Sequence, residues 1–407
     1  MSVASSFLLK KDAKLILEIL RSLKVRDNWR ELPETDILIV GHQNHYNYVE
    51  EGRWYSPLLG SIAFFEEEKK KCCEIVLIPF CSISPRQAWR KHYTFNRIFS
   101  LLRFLGLISR FKFVSKKYVD EKKKNMWKRI IERSAPDKII AIQPDKFLCL
   151  AARECGVKIV DFQHGVINDL HPWYGEKFRK DTSAKDLPEE FMVWDHDSKA
   201  TIMKWANKKG ASVLVVGHPW VERFQNVREN DSIVRRAIKK IPSPLSAKPK
   251  ILISLQWGLE KYLPEEDYDG VMHRVFKDLL KKYSNQYYFY LRLHPVQLHG
   301  FYNIKILREL NLMKSQLGAE AFEWEQASFC ALPALLTAVD VHLTFSSTVV
   351  QEAALFGVRS CIIDQHIKEG GLREDYFLSQ KKNGMADVIE ADEDRIASWI
   401  NLELSKK

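Results

Sequence analysis

Residues 339–357, VDVHLTFSSTVVQEAALFG, decide how the chain is read. Val341 to Phe345 form a short apolar run with β-branched members, the mark of a buried strand. The run leads into Ser346, Ser347 and Thr348, a hydroxyl cluster of the kind found where a helix begins. From Val349 to Phe356 the apolar residues recur at helical spacing, and Gly357 supplies the stop. A strand that delivers a hydroxyl-lined helix start makes a place for an anion, because the first helical N–H groups lack partners and the dipole favours negative charge. Glu352 follows Thr348 by four residues, one turn deeper on the same face. There its carboxylate would accept hydrogen bonds from sugar hydroxyls behind a phosphate. Phosphate grip followed by ribose grip suits a nucleotide; the plainer reading is a strand–helix junction with a capping serine.

Working outward, the same strand–helix alternation fills the chain. Apolar runs at residues 36–42 (DILIVGH), 74–80 (EIVLIPF), 138–143 (KIIAIQ), 158–163 (KIVDFQ), 190–194 (EFMVW) and 213–216 (VLVV) are separated by helical patterns. A second series has strands at 251–255, 287–293, 341–345 and 359–364. Flat apolar strands between helices indicate parallel sheets covered on both faces. Between the series, 241–250 (IPSPLSAKPK) carries three prolines in a polar setting and reads as a linker. The expected organisation is therefore α/β. A first Rossmann-like domain spans 1–240, the linker 241–250, and a second Rossmann-like domain 251–407 whose last helix is free to pack back on the first. Ligands of such sheets bind beyond the carboxyl ends of the strands, here in an expected cleft between the domains. Residues 11–30 have amphipathic helical spacing through Leu15, Ile16, Ile19, Leu20 and Leu23. Residues 113–124 are lysine-rich and read as a solvated helix or loop, with a further reading in which the lysines and Trp127 hold an anionic surface.

The chain has 407 residues, enough for two cores, and 46% hydrophobic content excludes wholesale disorder. A net charge of +11 favours an anionic partner. Aromatic and basic residues do not interleave as a single-strand nucleic-acid platform requires, so nucleic acid is not the expected partner. Seven cysteines without a CxxC spacing suggest neither a disulfide framework nor a zinc site, and a reducing cytoplasm is the expected compartment. No apolar run approaches a membrane span, so any membrane contact is expected to be peripheral, at the inner face of the plasma membrane.

Four strand ends carry candidate chemistry. Arg292 and His294 alternate with leucines and so share a face, and Pro295 turns the chain where His294 emerges. An imidazole there would donate to, or protonate, a phosphate oxygen; a buried histidine bonded to backbone is the plainer reading. Asp161, Gln163 and His164 end another strand, with Asn168, Asp169, His171 and Tyr174 in the following loop. At 193–198 (VWDHDS), Asp197 or Ser198 is read as the helix cap, leaving Asp195 as the freer carboxylate, a base or a nucleophile. Gly217-His218-Pro219 is read as shaping the domain junction. After the first strand, His42, Asn44 and His45, with Arg53 slightly beyond, suit recognition of an acceptor sugar.

The set QHG (163–165), VWD (193–195), GHP (217–219), RLHP (292–295) and SSTxxxEAxxFG (346–357) resembles bacterial surface-polysaccharide glycosyltransferases of the two-domain GT-B architecture. It is most similar to CMP-sugar users, the Kdo transferases of capsule and lipopolysaccharide assembly and the bacterial sialyltransferases. The resemblance implies that Arg292, His294 and Pro295 meet the nucleotide phosphate with Ser346, Ser347 and Thr348 around it, and that Glu352 meets the ribose. Where many relatives have glycine, this chain has Asp195. That carboxylate would serve as nucleophile of a retaining double displacement or as base of an inverting one, with Asp161 and His164 as further catalytic candidates. The function so implied is transfer of an acidic sugar, Kdo above all, from a CMP-activated donor to a lipid-linked surface glycan, with no metal and no further cofactor. The alternatives are a UDP-sugar transferase, a non-hydrolysing UDP-sugar epimerase of the same fold, or a non-catalytic nucleotide- or glycan-binding domain of a larger synthase.

Overall fold

A computed structural model of the chain describes residues 19–78, 81–108, 115–242, 247–268, 271–298, 301–318 and 320–407. By packing it divides into two compact units, Met1–Pro219 and Trp220–Lys407. The division falls ahead of the proline-rich 241–250 stretch, of which 243–246 lie outside the described residues.

In the first unit the strands are β1 (Ile37–His42), β2 (Tyr48–Glu50), β3 (Arg53–Tyr55), β4 (Cys73–Ile78), β5 (His92–Thr94), β6 (Lys138–Ala141), β7 (Lys158–Phe162), β8 (Glu190–Val193) and β9 (Ser212–Val215). Seven of them form one parallel sheet in the order β5-β4-β1-β6-β7-β8-β9, while β2 and β3 make a separate antiparallel hairpin. The inner strands are short and apolar because both faces are buried, whereas β9 at the sheet edge leaves Leu214 and Val215 exposed. Leu38, Val40, Val76, Ile139 and Ile159 pack into one core, and their alternating neighbours Ile37, Ile39, Ile75, Leu77 and Ile140 into the other. Trp127, which the sequence reading allows on an anionic surface, is instead 2% exposed. It stands edge-on to Phe95 with ring centroids 5.0 Å apart. Burying an aromatic of that size stabilises the core by roughly 2–3 kcal/mol, which outweighs any gain from leaving it outside. The lysine-rich stretch opens the helix Lys116–Ser134. Of the helix expected over 11–30, residues before 19 lie outside the described set; 19–22 are helical and the chain turns directly afterwards.

In the second unit the strands are β10 (Lys250–Ser254), β11 (Tyr288–Arg292), β12 (Phe322–Glu323), β13 (Val341–Thr344), β14 (Arg359–Ile362) and β15 (Ala386–Val388). They form a parallel sheet in the order β12-β11-β10-β13-β14-β15. Ile251, Ile253, Leu291, Leu293, Val341 and Leu343 face one core; Leu252, Tyr288 and Tyr290 face the other. The closing helix Glu393–Leu404, free in the sequence reading to pack back on the first domain, buries Ile396, Trp399 and Ile400 in this unit's own core. Among the described residues no helix is long and apolar enough to cross a membrane.

Candidate functional site

Both sheets are wound outward from their first strand, which sits inside the sheet with later strands added on either side. In such sheets ligands bind beyond the carboxyl ends of the strands, where the winding reverses. That point lies between β1 and β6 in the first unit and between β10 and β13 in the second.

Histidines crowd the carboxyl edge of the first sheet. His42 ends β1, and its Nδ1 accepts from Asn44 N at 3.1 Å. His45 Nδ1 accepts from His42 N at 3.1 Å, and His171 Nδ1 from Trp173 N at 3.0 Å. With Nδ1 committed as acceptor, the neutral rings of His45 and His171 carry their proton on Nε2 and present a donor there. The His164 ring lies 4.8 Å from that of His45, centroid to centroid. Among the described residues neither nitrogen of His164 has a hydrogen-bond partner, and solvent reaches the ring. Burial lowers the His45 pKa to about 3, with His164 and His42 adding to the effect. Desolvation by the surrounding protein, and then His42, lowers that of His164. Burial, then His164 and Arg179, lower that of His171. His218, whose ring lies 4.2 Å from that of Trp194, is pushed down to about 4 by burial, with His164 adding to it. These imidazoles are therefore neutral at pH 7. His164 is the member electrostatically coupled to all the others.

A buried frame holds this edge. Gln163 Oε1 accepts from Trp194 N at 2.6 Å, and its Nε2 donates to Gly165 O at 2.8 Å and Ser198 Oγ at 3.1 Å. The side chain thus ties the end of β7 to the end of β8 and leaves His164 projecting. Asp161, 1% exposed, accepts from Gln143 N at 2.9 Å, Trp173 Nε1 at 3.1 Å and Tyr174 Oη at 3.4 Å. Burial raises its pKa to about 7 despite those donors. Gln143 has φ +50, a left-handed conformation that costs a non-glycine residue roughly 1 kcal/mol; the bond to Asp161 holds it there. Asp161 is placed to position loops rather than to touch a ligand.

Asp195 differs from its sequence reading. It is itself the cap of the helix His196–Ala206, accepting from Ser198 N at 2.7 Å. The helix begins at His196, so the cap position falls on the residue that was expected to be freer, and the Ser198 hydroxyl accepts from Gln163. Asn44 is exposed beside the histidines, whereas Arg53 stands in the β2–β3 hairpin over the Trp89 ring at 5.9 Å.

In the second sheet, register sets Arg292, Ser254 and Thr344 in one row across β11, β10 and β13. Two residues further along each strand come His294, Gln256 and Ser346. His294, Gln256 and Ser346 thus each follow the end of one of three adjacent strands. His294 Nδ1 accepts from Val296 N at 3.2 Å, which leaves the proton on Nε2, and Pro295 opens the tight turn Pro295–Leu298 that makes this bond possible. Burial lowers the His294 pKa. Gln256 Oε1 accepts from Ser346 N at 2.6 Å, Thr344 Oγ1 from Ser347 N at 3.2 Å, and Ser347 Oγ from Val349 N at 3.3 Å. The helix Val349–Leu355 is short, and Ser347 caps it while Thr348 makes no side-chain cap bond. Arg292 Nη1 donates to Ala327 O at 2.6 Å and Cys330 O at 2.9 Å. Its charge also works on Glu352, whose pKa burial raises to about 7 against the pull of Arg292. Near neutral pH that carboxyl is an acceptor and, in part, a donor.

His42, His45 and His164 are thus brought together, and so are Arg292, His294, Pro295, Ser346, Ser347, Thr348 and Glu352. Sequence reasoning undervalued His218, although its Gly-His-Pro setting repeats a strand end with an emerging imidazole. It missed Arg179, 4.0 Å over the Trp173 ring, and Gln256, for which the polar residue directly after β10 was the one signal.

No protein-family model matches the chain, and no curated protein matches it in sequence. Solved structures do match in shape. The UDP-GlcNAc 2-epimerase of Methanocaldococcus jannaschii superposes with a TM-score of 0.57 at 13% identity, over 91% of this chain and 93% of that one. The UDP-GlcNAc 2-epimerase of Neisseria meningitidis bound to UDP-GlcNAc gives 0.53 at 13%, over 91% of each chain. A variant of the wall teichoic acid polymerase TagF gives 0.54 at 12%, over 98% of this chain and 88% of that one. The likeness is one of fold. The architecture is the GT-B α/β arrangement of two parallel-sheet domains.

Proposed function

We propose that the chain is a sugar transferase that uses a nucleotide-activated donor, a UDP-sugar ahead of the CMP-Kdo implied by the sequence resemblance. The observation that carries the reading is the group of neutral imidazoles around His164 at a strand-end edge. In the proposed step the unprotonated nitrogen of His164 takes the proton of an acceptor hydroxyl while that oxygen bonds to the anomeric carbon of the donor sugar. The bond from that carbon to the nucleotide phosphate breaks, and the leaving phosphate keeps the electron pair. Arg292, the Nε2–H of His294 and the hydroxyls of Ser346, Ser347 and Thr348 are the groups suited to its charge, and Glu352 to the ribose diol. Asp195, engaged as a helix cap, favours this direct displacement over a covalent sugar–enzyme step.

UDP is the better-supported nucleotide because structures of this fold include epimerases of UDP-GlcNAc and one bound to it. The structures named above include no CMP-sugar or Kdo enzyme. The test is nucleotide release from UDP-, CDP- and CMP-sugars with and without glycan acceptors. Acceptor-dependent release of UDP that His164→Ala abolishes is expected; release unchanged in that variant would end the reading. Intact-mass analysis with donor alone should show no sugar adduct on the wild type or on Asp195→Asn. The second reading, an epimerase, rests on the same structural likeness. Deuterium incorporated at C2 of UDP-GlcNAc in heavy water would establish it in place of transfer.

A further inference from the structure

The first unit carries a surface that neither sheet edge uses. The helix Asn96–Ile108 is apolar on opposite sides. Leu102 enters the core, and Ile98, Phe99 and Leu105 pack against it. On the other side Leu101 and Phe104, three residues apart and so on one face, are each 58% exposed. A water-facing helix normally spends that face on charge. A Cβ on Gly106 would stand 3.9 Å from Val119 Cγ1, so the end of this helix lies beside the beginning of Lys116–Ser134. There Tyr118 is half exposed, with the Lys122 ammonium 5.1 Å from its ring centroid. Lys116 and Lys117 precede it, both exposed. The nearby acids are used elsewhere: Asp120 pairs with Lys146, and Glu121 with Lys124. Among the described residues Lys116, Lys117 and Lys122 have no acidic partner, in a chain of net charge +11.

We propose that Leu101, Phe104 and Tyr118, flanked by Lys116, Lys117 and Lys122, dock the protein on an anionic lipid bilayer. Two exposed helix side chains and one tyrosine are too small an apolar area for a folded partner, whose stable interface takes roughly 800 Å² per side. They suit shallow insertion at the headgroup boundary, and the unpaired lysines supply the second signal that stable peripheral binding needs. The proposal rests on none of the sugar chemistry and stands or falls separately from it.

The experiment is co-sedimentation of the full chain with phosphatidylcholine vesicles, with and without phosphatidylglycerol. Binding only to the phosphatidylglycerol vesicles, weakened by salt, is expected. Replacing each lysine by Gln should weaken binding about five-fold, and the triple variant about a hundred-fold. Leu101→Ser with Phe104→Ser should weaken it about ten-fold. These side chains are exposed, so the melting temperature, read alongside, should not fall. Failure of the wild type to sediment, or equal sedimentation with neutral vesicles, would overturn the proposal. So would lysine variants that lose binding while the apolar pair makes no difference, since that is adsorption of charge alone. Self-association in light scattering that the apolar double variant removes would assign the surface to a second copy of the chain and also overturn it.

Discussion

The carboxyl edges of the two sheets share one winding and differ in electrostatic character. At the first edge burial, and then neighbouring imidazoles, lower the pKa values of His45, His164, His171 and His218, so that a neutral acid–base group results. At the second, a single histidine joins a permanent cation, Arg292, three hydroxyl residues and a carboxyl held near half-charge. Winding alone says where a ligand goes; the residues one or two steps past each strand say whether the site moves protons or holds charge. Under the proposed transfer, hydroxyl activation belongs to the first edge and phosphate retention to the second.

The largest expected effect tests this division directly. His164→Ala should lower kcat for transfer by about 10²–10⁴-fold, the span of a positioned general base. It should leave nucleotide affinity and melting temperature as they are, because the ring makes no hydrogen bond among the described residues. Steady-state kinetics alongside nucleotide titration checks both halves; a change in nucleotide affinity equal to the loss in kcat would erase the distinction between the edges. Next in size is the frame beneath that ring. Gln163→Leu removes three buried hydrogen bonds and should cost roughly 2–4 kcal/mol in urea unfolding, whereas Gln256→Leu, which gives up the bond to Ser346 N, should cost roughly 1 kcal/mol. Equal costs would mean that the two edges are braced alike.

Acid should separate the units. His45, His92 and His218 have folded pKa values of about 3, 4 and 4, below the ordinary 6.5. As pH falls below 6.5 the unfolded chain takes up protons that the folded unit refuses, so stability present at neutral pH is lost. Asp161, raised from 3.8 to about 7, works the other way across the same window, and rises at Asp27, Glu74 and Asp145 add to that opposition. In the second unit the lowered His342, His273 and His294 are set against the raised Glu352, and of these histidines only His342 is pushed as far as His45, His92 and His218 of the first unit. The histidines outweigh the carboxyls in the first unit, which should lose of the order of a few kcal/mol between pH 6.5 and 4 while the second changes less. Amide hydrogen exchange, corrected for its intrinsic pH dependence, should therefore show β1, β7 and β8 opening before β10 and β13. The reverse order would break the comparison.

Ten strands of the two sheets were legible as apolar runs, most of them because they are buried on both faces, although β9 leaves Leu214 and Val215 exposed. The three that were not, β5, β12 and β15, are the outermost strands of their sheets. With two or three residues each, they are too short for any periodicity to show. At the site, the positions of His164, His294 and Ser347 followed from where strands end. What did not follow was which polar group takes which partner. Asp195 became a cap because its helix begins at His196, with Ser198 inside it bonded to Gln163, and Asp161 became a brace because Gln143, Trp173 and Tyr174 converge on it from other segments. Such choices rest on contacts between residues far apart in sequence, which no local pattern encodes. Trp127 illustrates the same limit: its helix is lysine-rich, yet its own position faces Phe95.

The smallest effect bears on the second edge alone. His294 is one neutral donor among several groups around the proposed phosphate, so His294→Ala should weaken UDP binding about ten-fold, the worth of one hydrogen bond to a charged oxygen. Ser347→Ala should cost less, a few-fold, because the lost hydroxyl is already shared with Val349 N. Neither variant should alter the pH dependence of transfer at saturating donor, since the proton-accepting group is assigned to the other edge. Thermal shift with UDP and with CMP reads the affinity, and a pH–rate profile reads the independence. Should His294→Ala displace the profile while sparing UDP affinity, His294 would be the proton carrier, and the roles given to the two edges would have to be exchanged.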